Sequence, residues 1–539
     1  MASPYRDGRR SAPLETTDDG IVDDLVRQFA DPYAFFRELV QNGIDAGASE
    51  LRAQVLFEED GSFQASLRDD GTGMSREVVE GELLVLFKSG KEGREDAIGK
   101  FGIGFISVFA LGPERVVVRT ARGDGPRLTL HLHPDHTFEL FESAGGRQAG
   151  TTVTVEVGPG HDASEVAVKA EASLRRWCRH AQVPLYLRVA GPGTLEREVR
   201  IDAPLALERM HASVAVKAGK TRAVLGLPKA AEDRYAGFFN AGLMLHESHE
   251  GAGAFRGLAF KVQDPRLEHT LSRDDVRRDQ AYRRALDVVG RGVERLRRAL
   301  LRELESAARS DHPRRYDALL SRMLDEAPAL QLHLGAVPLV LLERLERQKL
   351  TTLQQAERFV LARKRSALTA ALAAEGWAVL DAQRNDARML NAIVEREGEL
   401  PDANADFTLA TPAPPQPQDE ALLALLGERL DDAWRRPLRP RLVTLSGEHR
   451  GRVAVGFPGE ARVVRGETPN PFSLLRRAPL ALNVGHRLVE DARRRFPAEP
   501  ELVAAMLARA VLLDVDALDA GRDARLTAGA LDALLGAAS

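Results

Sequence analysis

The stretch Phe36-Arg-Glu38-Leu-Val-Gln-Asn42-Gly-Ile-Asp45-Ala46 sets a carboxylate, a carboxamide and a second carboxylate at i, i+4 and i+7. A helix brings all three to one face, and Leu39 and Val40 beside them bury the neighbouring face. The combination suits nucleotide hydrolysis. An Asn42 amide oxygen is a fitting ligand for a hard, octahedral Mg2+ ion, and Glu38 can orient or deprotonate an attacking water. Taken alone, the same spacing is more often just a solvated helix face.

Three more stretches lie downstream. Arg68-Asp69-Asp70-Gly71-Thr72-Gly73-Met74 follows a segment that alternates as a strand. Its alternate glycines let backbone approach a ligand closely, and the Asp69 carboxylate can accept a hydrogen bond from an exocyclic amine such as that of adenine. An Asp/Gly turn closing a hairpin is the other reading. Ile98-Gly-Lys100-Phe-Gly102-Ile103-Gly104-Phe105-Ile106-Ser107 runs glycines into an apolar helix start at Phe105–Leu111, which presents free N–H groups to an anion. Ser89-Gly-Lys-Glu-Gly93 just before it is lid-like. Gly150-Thr151-Thr152-Val153 enters a strand with a hydroxyl that can reach the rim of a base. There is no G-x-x-x-x-G-K-[ST] loop.

In this order and spacing the four stretches resemble the ATP-binding domain of the GHKL superfamily of DNA gyrase, mismatch-repair proteins, sensor histidine kinases and the ninety-kilodalton heat-shock chaperones, a resemblance that spans residues 21–190. The chaperone branch is the most similar. Its catalytic helix is matched by Glu38–Ala46, its lid entry by Leu86-Phe-Lys88-Ser89-Gly90, and its lid exit by Lys100–Ser107. The resemblance implies ATP and Mg2+ as cofactors. It implies Glu38 as general base and Asn42 on Mg2+ and phosphate oxygens, with Asp45 on the same face. Asp69 would take the adenine amine with Gly73, Met74 and Thr151, and Lys88 with the Gly102, Ile103, Gly104 and Phe105 backbone would hold phosphates.

A later segment, Phe260-Lys-Val-Gln-Asp264 through Thr270-Leu-Ser-Arg273-Asp274-Asp275-Val276, is similar to the chaperones' middle domain. There an arginine at a loop-to-helix junction reaches the γ-phosphate, and Arg273 matches it. Such an arginine stabilises charge on the transferring phosphoryl group and ties hydrolysis to closure. The function implied is an ATP-dependent chaperone, dimeric through its C-terminal region and acting on unfolded client proteins. The alternative is a GHKL switch or clamp on nucleic acid or in signalling or defence.

Composition agrees with that scale. The chain has 539 residues, 44% hydrophobic and 29% charged, and Lys+Arg 75 against Asp+Glu 79 leaves −4. Near-neutrality gives no global pull towards nucleic acid or membrane. One cysteine, Cys178, excludes a disulfide framework. Its setting, Arg175-Arg-Trp-Cys178-Arg179, suits a half-buried helix cysteine or a thiol of lowered pKa. His131, His133 and His136, and His246 with His249, have no cysteine or catalytic-glutamate partner that would make a metal site. No apolar run is long enough to span a membrane, and no apolar leader opens the chain, so a cytoplasmic protein is expected.

The fold class expected is α+β: a GHKL (Bergerat) α/β sandwich, then an α/β middle domain and a mainly helical C-terminal region. The expected boundaries are a flexible 1–20, an ATP-binding domain 21–190, a middle domain 191–310, a mainly helical 311–405, a Pro-rich linker 406–419 and a C-terminal domain 420–539. Leu339–Leu342 and Ala356–Leu372 read as helical, and Leu480–Val489 with Glu501–Leu513 as a helical dimerisation element.

Overall fold

The computed structural model describes residues 9–10, 31–84, 103–123, 125–135, 137–144, 148–270, 275–309, 313–345, 348–434, 439–457, 462–472 and 479–536. The stretch expected to be flexible, 1–20, is described only at Arg9–Arg10. The chain divides into two compact units. One is Met1–Ala299 with Pro328–Gln331, and the other is Leu300–Ala327 with Leu332–Ser539.

The first unit begins with a mixed sheet of nine strands: β1 Arg9–Arg10, β2 Leu51–Phe57, β3 Phe63–Asp69, β4 Arg115–Ala121, β5 Arg127–Leu132, β6 Phe138–Ser143, β7 Gly150–Val157, β8 Leu185–Ala190 and β9 Arg197–Arg200. Their order is β1-β6-β5-β4-β7-β3-β2-β8-β9. In this sheet only β2 and β8 run parallel; the other pairs are antiparallel. Strict alternation makes β2 and β3 half-buried strands, with Leu51, Ala53, Val55 and Phe57 inward on β2. Helices α1 (Phe35–Asp45) and α2 (Ala163–Cys178) pack on each other and on β2. Phe35, Phe36, Leu39 and Val40 of α1 meet Val166, Ala170 and Leu174 of α2 in the core between helices and sheet. Asp162 caps α2 by accepting from the Glu165 N–H at 2.8 Å.

The sheet outruns the expected boundary at residue 190, because β9 pairs with β8 and Ile201 joins the core. A five-stranded sheet follows, with β10 Met210–Ala218, β11 Thr221–Pro228, β12 Ala236–Asn240, β13 Leu243–Ser248 and β14 Ala259–Gln263 in the order β10-β11-β14-β12-β13. Leu243 of β13 is buried in the core of the first sheet. Helix α3, Gln280–Arg309, comes next, and the division between the units falls within it.

The second unit corrects the sequence reading in three places. Residues 311–405 are not mainly helical. They hold β15 Leu339–Leu345, β16 Gln348–Thr351, β17 Phe359–Ala362 and β18 Ala378–Asp381 in one sheet, beside helices α4 (Pro313–Asp325), α5 (Ala367–Ala374) and α6 (Ala387–Glu397). Short apolar runs such as Leu339–Leu342 fit a buried strand as well as a helix, and here Leu339, Val340 and Leu341 are buried in strand conformation. The span 406–419 is not a linker. Phe407–Pro412 is β19, paired with β20 (Arg441–Gly447) on one side and β22 (Val463–Arg465) on the other. The prolines begin only at its last residue, where the ladder ends. Beyond β19, the buried Arg493 holds the segment, donating to Pro414 O at 3.0 Å and to both Asp419 oxygens at 2.8 and 2.5 Å.

The third correction concerns Leu480–Val489. Leu480–Asn483 is strand β23, interior to the sheet β21-β23-β20-β19-β22, with β21 at Ala454–Gly456. Asn483 is fully buried and its amide ties Arg450 O, Arg452 O and Leu445 N together. Helices α7 (Asp419–Trp434), α8 (Arg487–Arg495), α9 (Pro500–Asp514) and α10 (Ala520–Gly536) complete the helical C-terminal region. The α+β class stands.

Candidate active site

A cavity of about 290 Å3 opens beside the first sheet, lined by α1, by the end of β3 and its glycine turn, and by β4 and β7. Its walls are mainly apolar: Leu39, Leu67, Met74, Val78, Leu83, Phe105, Val118 and Val153. Asn42, Asp45, Asp69, Glu82 and Thr151 are the polar groups that converge on it. A mainly apolar cleft with a few placed polar groups is the form expected of a small-molecule site.

Asp69 sits at the C-terminal end of β3, and its side chain is fixed from two directions. Oδ1 accepts the Gly71 N–H at 2.9 Å and the Thr151 N–H at 3.3 Å. Oδ2 receives no hydrogen bond among the described residues. Burial pushes the Asp69 carboxyl above its usual range, against the two backbone N–H groups that favour the ionised form. Two glycines make this approach possible. A Cβ on Gly43 of α1 would lie 2.6 Å from Leu51 Cδ2 and 3.2 Å from Asp69 Cβ, so the bare helix backbone lets α1 settle against the strand end. Gly73 has φ +67°, and a Cβ there would meet Ala121 O at 1.9 Å. Met74 N–H then donates to Thr120 Oγ1 at 2.8 Å, and that hydroxyl lies 3.0 Å from Thr151 Oγ1. Gly73, Met74 and Thr151 thus form one rim.

The neighbouring Asp70 turns the other way. It accepts the Ser49 and Glu50 N–H groups at 2.7 and 3.0 Å, and the Ser49 hydroxyl, fastening the loop after α1. These hydrogen bonds, the Ser49 side chain's first, hold Asp70 below its usual range against the opposing effect of burial.

The structure brings Asn42, Asp45, Asp69, Gly73, Met74, Phe105 and Thr151 together around the cavity. Gly104 precedes Phe105 in the short helix Ile103–Ile106, and its carbonyl accepts the Ser107 hydroxyl at 2.5 Å. Glu38 lies one turn back from Asn42 and does not line the cavity; its carboxylate is 3.7 Å from the Arg37 guanidinium. Lys88, Gly102 and Arg273 lie outside the described residues, as does the side chain of Ile103. So does the lid-like stretch 89–93. The hard oxygen donors of Asn42 and Asp45 fit Mg2+, which keeps few protein ligands and takes the rest from phosphate and water.

Sequence reasoning missed Glu82, Leu83, Val78 and Val118 as cavity residues. They follow or face the motifs without belonging to one. Cys178 is fully buried, and burial pushes its thiol up to about 12, which rules out the reactive reading. His131 and His133 share Glu139 at 3.8 and 4.0 Å.

Residues 35–140 match the family described as histidine kinase-, DNA gyrase B-, and HSP90-like ATPase. The described part of that span carries α1, the Asp69 turn and strands β2 to β5 of the cavity's sheet. This region is an HSP90-like ATPase domain of the GHKL type. Its relatives agree. The chain is 26% identical over 184 residues to chaperone protein HtpG of Chromobacterium violaceum, covering 29% of this chain and 28% of that protein. It is 30% identical over 186 residues to HtpG of Nitrosococcus oceani, covering 29% and 28%, and 28% identical over 200 residues to HtpG of Coxiella burnetii, covering 32% and 31%. The chain therefore spans less than a third of the length of the curated relatives it matches. Among the described residues no helix is long and apolar enough to cross a membrane.

Proposed function

We propose that the chain is an ATP-dependent chaperone of the kind its HtpG relatives are named for, using the ATPase domain to drive a clamp cycle on unfolded client proteins. The observation that carries the nucleotide part is the Asp69 carboxylate. One oxygen is fixed by two backbone N–H groups, and the residue lines a cavity of about 290 Å3. An exocyclic amine entering that cavity donates to Oδ2, while Thr151, Gly73 and Met74 form the polar and backbone rim around the base. Apolar Leu39, Met74, Val118 and Val153 cover the ring faces.

In this reading Asn42 holds Mg2+, whose charge, when bound, offsets that of the phosphate oxygens. Lys88 and the Gly102–Phe105 backbone hold phosphates. Glu38 takes the proton of the attacking water, which requires its carboxylate to leave Arg37 and turn towards the nucleotide. Arg273 approaches the γ-phosphate from the following domain, so that hydrolysis depends on closure. Client binding and assembly into a homodimer belong to the C-terminal unit in the same proposal, and the cytoplasm is its compartment.

The test is a paired assay on the full chain: ATP turnover with and without DNA, alongside suppression of aggregation of a model unfolded protein. The proposal expects DNA-independent turnover and ATP-dependent suppression. DNA-stimulated turnover without suppression would overturn the chaperone reading in favour of a nucleic-acid clamp. Glu38→Ala is expected to bind ATP while losing turnover by roughly a hundredfold or more; normal turnover in that variant would remove Glu38 from the mechanism.

A further inference from the structure

A second cavity, of about 280 Å3, lies in the first unit where the C-terminal end of α2 meets the sheet β10–β14. Arg175, Arg176 and Arg179 rim it from α2 and the residue after it. Glu208 comes from the approach to β10, Asp233 and Tyr235 from the turn before β12, Glu247 from β13 and Lys261 from β14. None of these residues takes part in the nucleotide site.

Lys261 is the unusual member. Its Nζ lies 2.9 Å from His180 Nε2 and 5.6 Å from the Tyr235 ring centroid, and among the described residues no carboxylate is within ion-pair distance of it. The imidazole is oriented for this contact. His180 Nδ1 is 2.9 Å from Ala203 O, which can only accept, so Nδ1 carries the proton and Nε2 is left as the acceptor for Lys261. His180 is itself buried and its ring meets Phe239 edge-on. The acids nearby are engaged elsewhere: Glu247 with Arg176 at 3.0 Å and with the Tyr235 hydroxyl at 3.3 Å, Glu208 with Arg179, and Asp233 with Arg209 at 3.3 Å. An amine is thus held in a pocket with a neutral partner, under a rim of three arginines that each pair with one carboxylate, Arg175 with Glu171, Arg176 with Glu247 and Arg179 with Glu208, and have further guanidinium N–H groups to offer an anion. The choice of residue matters, because this chain has ten lysines against 65 arginines. A guanidinium never sheds its proton in a protein, whereas a half-buried lysine can.

We propose that Lys261 is a covalent modification site, whose amine takes an acyl group from a small anionic donor of the acyl-phosphate class drawn in by the arginine rim. The neutral amine nitrogen attacks the carbonyl carbon and the N–C bond forms. The C–O bond to phosphate breaks, phosphate leaves with the electron pair, and the proton lost from nitrogen is taken up by the released phosphate. The amide that results keeps one N–H for His180 Nε2 and has lost the charge. Burial favours the reactive form, lowering Lys261 to about 8, with Arg179 pushing the same way and Glu208 and Glu247 opposing.

The experiment treats the full-length protein with acetyl phosphate between pH 6.5 and 9.5 and reads acetylation of each lysine by peptide mass spectrometry. At pH 8 Lys261 is expected to react roughly tenfold faster than the exposed Lys217 and Lys220, because burial beside a neutral imidazole favours its uncharged form. Its rate should reach half its maximum near pH 8. Lys261 reacting no faster than Lys217 would overturn the proposal. A second arm uses acetic anhydride, which carries no charge, and the Arg179→Gln variant. The preference for Lys261 should be greater with acetyl phosphate than with the anhydride, and that excess should shrink in Arg179→Gln and with added inorganic phosphate. Equal preference with both donors would remove the anionic-donor half of the proposal.

Discussion

Asp69 and Asp70 are adjacent, chemically identical and opposite in use. Strand alternation sends one carboxylate to the cavity and the other to the loop after α1, and their environments divide with it. Burial raises Asp69, while hydrogen bonds from Ser49 and Glu50 lower Asp70. Asp69→Asn keeps the shape and the acceptor oxygen but sets an NH2 group among donors, the Gly71 and Thr151 N–H groups and the incoming amine. We expect nucleotide affinity, measured by calorimetry, to fall roughly a hundredfold, the scale on which a site rejects a partner that leaves polar groups unpaired. The pH dependence has a definite sign. A protonated Asp69 presents a donor or a weaker acceptor, so affinity falls as pH drops through its pKa. Because that pKa is raised, the loss begins at higher pH than for an ordinary carboxylate, and Asp69→Asn should be flat over the same range. An affinity unchanged in the variant, or a pH profile indifferent to it, would move the base elsewhere in the cavity.

Between residue and molecule stand the elements, and their legibility in the sequence followed the physics of burial. Strands β2 and β3 each have one face on the core and one nearer water, so they alternate and could be read with their turn. Strand β15, with Leu339, Val340 and Leu341 all buried, has no alternation to read, and a continuous apolar run is silent about helix or strand. Strand β19 was hidden differently, its apolar Phe407–Ala410 lying just before a run of prolines that reads as a linker. In the site, motif residues were legible because their chemistry is local. Val118 and Glu82 were not, because only the tertiary fold brings them to the wall. The clamp over the proline segment makes its own prediction. Arg493 and Asp419 are both buried, and removing one partner strands the other charge out of water. Arg493→Ala should cost about 3–5 kcal/mol in the second unit, seen as a lower denaturation midpoint. The segment between β19 and α7, which Arg493 grips at Pro414, should become open to proteolysis in the same variant. Arg493→Ala with unchanged stability would mean the pair is dispensable.

At the scale of the whole molecule, the ATPase domain and the sheet after it fall in one compact unit, the relation that a phosphate-reaching Arg273 requires of its domain. If hydrolysis depends on that arginine, Arg273→Ala should lower turnover by roughly 10- to 1,000-fold with little change in ATP affinity; an equal loss of both would make it a binding residue instead. Sharing a unit also carries a consequence for how the protein is made. Every described residue lining the cavity beside the first sheet has been synthesised by Val153, yet β2 cannot pair with β8 until residues 185–190 exist, and the core under α1 and α2 lacks a side chain until Leu243 exists. At about 5–20 residues per second, the ninety positions from Val153 to Leu243 take the ribosome on the order of 5–20 s. For that interval the nascent chain carries every described residue that lines the cavity on an unfinished scaffold, with apolar surface open to whatever else is being translated nearby. A protein proposed to shelter unfolded chains therefore passes through a stage at which it is itself a candidate for shelter, and ligand entering early has only part of a wall to lean on.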